Sequence, residues 1–210
     1  FIKNKIEKIN ENLSKINKSI VQFYGRPVEV FEKLIKEFQV SNIYLNRDYS
    51  PYAIKRDNEI IKLSKKNNIM FNDFKDHVLY EKFDITKDDG TPYKVYTPFS
   101  RKWLSRLDSD GIKNYPSEKL THNFINIKSN FDFNSLGFCE STITLTKLNF
   151  SKKVIDEYEE KRNFPYKDGT SKIGVHLRFG TVSTRKLVKQ AKSSSNITFL
   201  KELVWREFFQ

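Results

Sequence analysis

Between residues 20 and 74, short β-prone runs alternate with amphipathic helical stretches, and no hairpin-type turn joins one run to the next. The runs are residues 20–24, 40–45 and 69–74; the helical pattern carries Val30, Phe31, Leu34, Ile35 and Phe38, and returns over residues 53–66. Strands joined only through helices must lie parallel, and a parallel sheet has to be covered on both faces. An α/β parallel-sheet unit is therefore predicted for the first part of the chain. Ligands in such sheets gather beyond the carboxyl ends of the strands, here near Gly25 and residues 46–49. No Gly-x-Gly-x-x-Gly occurs, which disfavours ordinary dinucleotide binding there.

Ahead of this alternation, Ile2, Ile6, Ile9, Leu13, Ile16 and Ile20 recur at steps of four and three, predicting one packed amphipathic helix. After it, from residue 80 to about 150, periodicity weakens. Thr91-Pro92-Tyr93 and Thr97-Pro98-Phe99 read as extended or turn segments, because proline disfavours helix at the residue before it. Residues 101–107 read as a short helix with Trp103 turned inward, and residues 108–135 as a polar surface connector. Helical signals return at Ser151, a candidate cap for a helix to about Lys161. A turn over residues 164–169, a helix over 184–191 and a last helix from near Ile197 follow.

Composition narrows the function classes. With 38% hydrophobic residues, among them 18 Phe and 10 Tyr, the chain can bury a core, and disorder is not expected over most of its length. Its net charge of +12 suits a polyanionic partner, yet the lysines are spread evenly, so a generically basic surface explains the charge equally well. Cys139 is the only cysteine, so no intrachain disulfide can form and a reducing, cytoplasmic setting is expected. His77, His122 and His176 show no metal-ligand spacing, and no metal is expected. No run reaches the length of a membrane span, so a membrane partner is not expected. Phe1 is not a start methionine and Gln210 falls inside a patterned helix, so the sequence is expected to be a piece of a longer chain.

Two segments carry candidate chemistry. Asp168-Gly169-Thr170-Ser171 sets a glycine before two hydroxyls that can approach a diphosphate, although the same four residues also make an ordinary turn and helix cap. In the last helix, Glu202, Trp205, Arg206 and Phe209 share one face while Leu200, Leu203, Val204 and Phe208 supply packing surface. Carboxylate, indole and guanidinium so grouped suit a pocket for a planar heterocycle. The plainer alternative is a Glu202–Arg206 salt bridge beside a core tryptophan.

Taken together, Tyr158, Arg162, Pro165, Asp168 to Ser171, Leu177, Phe179, Gly180, Ser183 and Arg185, followed by Glu202-Leu203-Val204-Trp205-Arg206-Glu207-Phe208, resemble the FAD-binding region of the photolyase/cryptochrome family. The resemblance continues upstream through Gly25-x-Pro27, Asn46-x-Asp48-Tyr49, Pro51-Tyr52-Ala53, Arg56-Asp57, Pro92-Tyr93, Thr97-Pro98-Phe99 and Trp103. It is greatest toward the class I cyclobutane pyrimidine dimer photolyases.

The resemblance implies an incomplete α/β parallel-sheet N-terminal domain over residues 1–79, a long linker over 80–150, and the start of an all-α FAD-binding domain over 151–210. It implies FAD contacts at Tyr158, Thr170, Ser171, Lys172, Ile173, Gly174 and Arg206, and contacts of Glu202 and Trp205 with an extruded pyrimidine dimer. It implies light-driven repair of dimer-containing DNA by electron transfer from reduced FAD, with a second, antenna chromophore as a further expectation near residues 46–52, and a monomeric protein. No protein nucleophile is implied, since the flavin carries the chemistry. Lys172 stands where arginine is frequent, Gly174 where serine is common, and Thr184 where proline is common. The rival readings are a cryptochrome-type photoreceptor that binds FAD without repair, and a basic α/β protein that binds nucleic acid without flavin.

Overall fold

The computed structural model describes residues 1–127, 131–138, 142–143 and 147–210; Cys139 lies outside them. By contacts the chain divides into two compact units. The first comprises Phe1–Tyr44, Ser50–Asn72 and Tyr115–Leu145, the second Leu45–Tyr49, Asp73–Asn114 and Thr146–Gln210.

Two of the three predicted strands form, β1 (Asn42–Asn46) and β2 (Met70–Phe74), paired side by side. They are parallel: the Met70 N–H donates to the Ser41 carbonyl at one end and the Arg47 N–H to the Phe74 carbonyl at the other. The crossover between them is α3 (Pro51–Lys66), which has proline in its first turn, where the missing N–H costs nothing. Its N-cap is Ser50, whose hydroxyl accepts from the Ala53 N–H.

In the first unit, Ile43, Ile60 and Ile69 are buried together against Val28, Phe31 and Ile35 of α2 (Pro27–Glu37), with Val40 and Phe71. Of the predicted α2 pattern, Phe31 and Ile35 pack here, joined by Val28, which the pattern did not include. The predicted strand at residues 20–24 does not form. The Asn10 side chain instead takes both backbone groups of Ile20, accepting from its N–H at 2.8 Å and donating to its carbonyl at 3.3 Å. The first helix, α1 (Ile2–Ser14), also ends earlier than its apolar stripe, at a turn containing left-handed Asn17. Of the stripe, Leu13 is buried while Ile2, Ile9 and Ile16 stay about half exposed.

The second unit is organised around α4 (Tyr96–Asp110), α8 (Thr184–Lys192) and α9 (Thr198–Phe208). Phe99, Trp103 and Leu107 of α4, Leu187, Val188 and Ala191 of α8, and Phe199, Leu200, Leu203 and Val204 of α9 share one core. Trp103 is fully buried, as its place in the sequence predicted. The extended reading of Thr97-Pro98-Phe99 is corrected: all three belong to α4, because Pro98 sits in the first turn, where its missing N–H has no helical partner to lose. The predicted helix after Ser151 is broken into α5 (Lys152–Asp156) and α6 (Tyr158–Lys161). At the break the Asp156 carbonyl receives the Asn196 side-chain N–H, at 3.1 Å. Ser151 occupies the N-cap position without a side-chain capping bond. A five-residue helix, α7 (Gly174–Arg178), was not anticipated.

One buried charge-bearing group ties these helices together. The Glu207 carboxylate, 7% exposed, accepts from the backbone N–H groups of Leu79 and Tyr80 and from Trp103 Nε1. Burial raises its pKa, and the three donors and Arg206 pull the other way. Glu207→Gln would turn an amide N–H toward one of these donors, and leaving a buried donor unpaired costs about 1–3 kcal/mol. We expect this variant of the full-length protein to lose about 2 kcal/mol of stability in urea unfolding, with little change in slope.

Candidate functional site

The last helix places its side chains on three fronts. Leu200, Leu203 and Val204 enter the core, Glu202 and Trp205 lie half-buried toward α6 and the start of α4, and Arg206 and Glu207 reach back to residues 77–80.

Glu202 is paired with Arg162, through Arg162 Nη1 and Glu202 Oε1, and not with Arg206. The Arg162 guanidinium also lies over the Tyr158 ring, 5.4 Å from its centroid, and Tyr158 meets Phe199 edge-on at 5.2 Å. Tyr158, Arg162 and Glu202 therefore form one contiguous group. Burial, and then the Glu202 charge, raise the pKa of the Tyr158 phenol; the same two causes raise that of Tyr96. The Glu202 charge thus acts on both phenols. Glu202 Oε2 makes no hydrogen bond among the described residues and can accept one from a ring N–H.

Trp205 is stacked on Tyr96 with ring centroids 3.5 Å apart and planes 5° from parallel. Its other neighbours are Phe209, nearly parallel at 5.5 Å, and Phe208, edge-on at 5.7 Å. An aromatic column with a carboxylate one helical turn away can hold a planar base by stacking and by hydrogen bonding.

Residues 170–174 form a separate loop leading into α7. Gly169 is required there by close approach: a Cβ would lie 2.2 Å from the Lys161 Cβ. Lys172 adopts a left-handed backbone, φ 53°, and pairs loosely with Asp168 at 3.6 Å. Ser171 is buried and its carbonyl accepts from the Asn149 N–H, while the hydroxyls of Thr170 and Ser171 make no hydrogen bond among the described residues. Ile173 packs on the core, and a Cβ on Gly174 would meet nothing within 4 Å. Two free hydroxyls, a lysine and open backbone make a donor set that fits a diphosphate. Among the described residues no hydrogen bond, ion pair or ring contact joins this loop to Glu202 or Trp205; Ile173 and the buried face of α9 share one core.

Arg206 points elsewhere. Its Nη1 donates to the His77 carbonyl at 2.8 Å and its Nη2 lies 3.1 Å from His77 Nε2. His77 is also edge-on to Tyr49, whose hydroxyl donates to Glu81 at 2.8 Å; Arg47 pairs with the same carboxylate at 3.0 Å. Thr184, at the site where proline is common, donates through Oγ1 to the His77 carbonyl at 3.3 Å. Sequence reasoning did not find the parts played by Tyr96, His77 and Glu207, since each depends on a partner more than 100 residues away. The aromatic at the head of a proline-started helix was the one available signal for Tyr96.

The DNA photolyase family profile matches residues 1–119. The chain belongs to the DNA photolyase family. A deoxyribodipyrimidine photo-lyase of Alkalihalophilus pseudofirmus is 31% identical over 200 residues, covering 85% of this chain and 41% of that protein. The crystal structure of a class III photolyase from Agrobacterium tumefaciens superposes with a TM-score of 0.79 at 23% identity, over 97% of this chain and 47% of that one. A Synechocystis cryptochrome gives a TM-score of 0.68 at 19% identity, over 97% and 47% of the two chains. At these identities the solved structures speak to the fold alone. The chain spans less than half the length of each of these relatives. Among the described residues, no helix is long and apolar enough to cross a membrane.

The histidine at the Arg206 contact gives a pH prediction. Burial, and then the Arg206 charge, lower the His77 pKa from its ordinary 6.5. A depressed value means the folded state prefers the neutral ring, so its contribution is present above pH 6.5 and is lost as pH falls through the folded value. We expect NMR titration to place the His77 midpoint below 6.5, and Arg206→Met to move it upward.

Proposed function

We propose that this chain is part of a light-driven DNA repair enzyme that splits cyclobutane pyrimidine dimers using FAD. The observation that carries this reading is the pairing of Trp205, stacked and half-exposed, with Glu202, whose carboxylate is oriented by Arg162 and whose second oxygen has no hydrogen bond among the described residues. Family membership and the photo-lyase names of the relatives support it. The substrate follows the class I resemblance of the motifs.

In this reading the basic chain meets the DNA backbone through its lysines and arginines. A dimer, whose pairing and stacking are already weakened, is extruded at small cost. Trp205 stacks against it and Glu202 Oε2 accepts from a pyrimidine N–H. FAD would be held by Thr170, Ser171, Lys172, Ile173 and Gly174 at its diphosphate and by Tyr158 nearer its ring system. When bound and reduced, the flavin supplies on excitation the single electron that opens the cyclobutane ring and takes it back afterwards. Arg206, assigned to the cofactor side by resemblance, acts here through His77 as a brace for α9. A second chromophore beside residues 46–52 stays part of the proposal, as does a monomeric state. Residues 1–79, 80–150 and 151–210 are proposed as sheet domain, linker and start of the flavin domain.

The test is repair by the full-length, fully reduced flavoprotein under blue light, read as loss of thymine dimers from a defined oligonucleotide. Dimer splitting is expected. Base stacking is worth about 1–3 kcal/mol, so Trp205→Ala should weaken dimer binding roughly tenfold or more. Flavin binding without any repair would favour a photoreceptor.

A further inference from the structure

We propose that Tyr96 is a positioning residue for dimer recognition: it holds one broad face of the Trp205 indole and leaves the opposite face for the base. This inference rests on the reading of Trp205 as a base platform.

Three observations lead to it. The phenol and indole planes are 5° apart with centroids at 3.5 Å, so the covered face has no room for a second planar group. The phenol is also pinned at its far end. Its hydroxyl donates to the Lys201 carbonyl at 3.0 Å, on the same helix as Trp205 and one turn before it. Finally, Tyr96 opens α4, whose Phe99, Trp103 and Leu107 are buried in the core, so the backbone that carries its ring is fixed.

The opposite face is different. Phe209 lies nearly parallel to the indole at 5.5 Å and 18°, and among the described residues it makes no ring contact with Tyr96, so we assign it to that face; it is 75% exposed at the end of α9. A planar base therefore enters on the Phe209 side and finds the indole backed by Tyr96. The Glu202 charge also acts on the Tyr96 phenol, raising its pKa after burial.

The test uses full-length flavoprotein, an oligonucleotide carrying one thymine dimer, and its undamaged twin. Tyr96→Leu removes the backing ring and should weaken dimer binding about three- to tenfold. FAD content, affinity for the undamaged twin and repair yield per bound dimer should not change. Tyr96→Phe keeps the ring and should restore dimer affinity to within about twofold of the parent. Phe209→Ala vacates the opposite face without touching the core, and should bind the dimer about twofold more tightly. Unchanged dimer affinity in Tyr96→Leu overturns the proposal. So does a parallel loss of flavin and of both DNAs, which would mark a purely structural role; so does weakened binding in Phe209→Ala. If the parent protein does not distinguish dimer from undamaged DNA, the repair reading itself fails and takes this proposal with it.

Discussion

Glu207 is the contact on which the second unit depends. Placing a carboxylate at 7% exposure costs several kcal/mol unless its lone pairs are filled, and here they are filled by two consecutive backbone amides and one indole N–H. These donors come from residues 79–80 and from the middle of α4. A greasy contact between α4 and α9 would tolerate sliding; an acceptor with three directional donors sets one rotation and one depth for the last helix.

That rotation decides what the rest of α9 presents. With Glu207 and Arg206 turned to residues 77–80 and Leu203 and Val204 in the core, Glu202 and Trp205 are left half-buried beside Tyr158, Arg162 and Tyr96. Arg162 then orients Glu202 through a charge-assisted bond, and Tyr96 backs Trp205. Glu202 and Trp205 owe their geometry to residues beyond α9. The same segment, residues 75–80, is also held by α8, where Arg185 donates to the Lys75 carbonyl and Thr184 to that of His77.

Much of this was legible from the residues. The parallel arrangement of β1 and β2 followed from alternation without hairpins, and the packed face of α9 and part of that of α2 from periodicity. The order of small motifs pointed to the family that the profile also matches over residues 1–119. Less legible were the segments where a side chain overrides the local pattern. Residues 20–24 have strand propensity, but the Asn10 side chain takes both backbone groups of Ile20, and the helix after Ser151 breaks where Asn196 reaches the Asp156 carbonyl. Thr97-Pro98 misled because proline forbids helix in its interior yet is accepted in its first turn.

By itself the sequence determined which faces are apolar, where glycine and proline punctuate the chain, and that a carboxylate and an indole three positions apart share one side of a helix. These are local consequences of period and covalent shape. Tertiary structure alone decided that Glu207 is buried, that Arg162 is the partner of Glu202, that Arg206 turns to His77, and that Tyr96 covers Trp205. A charged residue in a helix reads the same whether it faces water or three donors. Only packing elements distant in sequence against one another settles which of the two it meets.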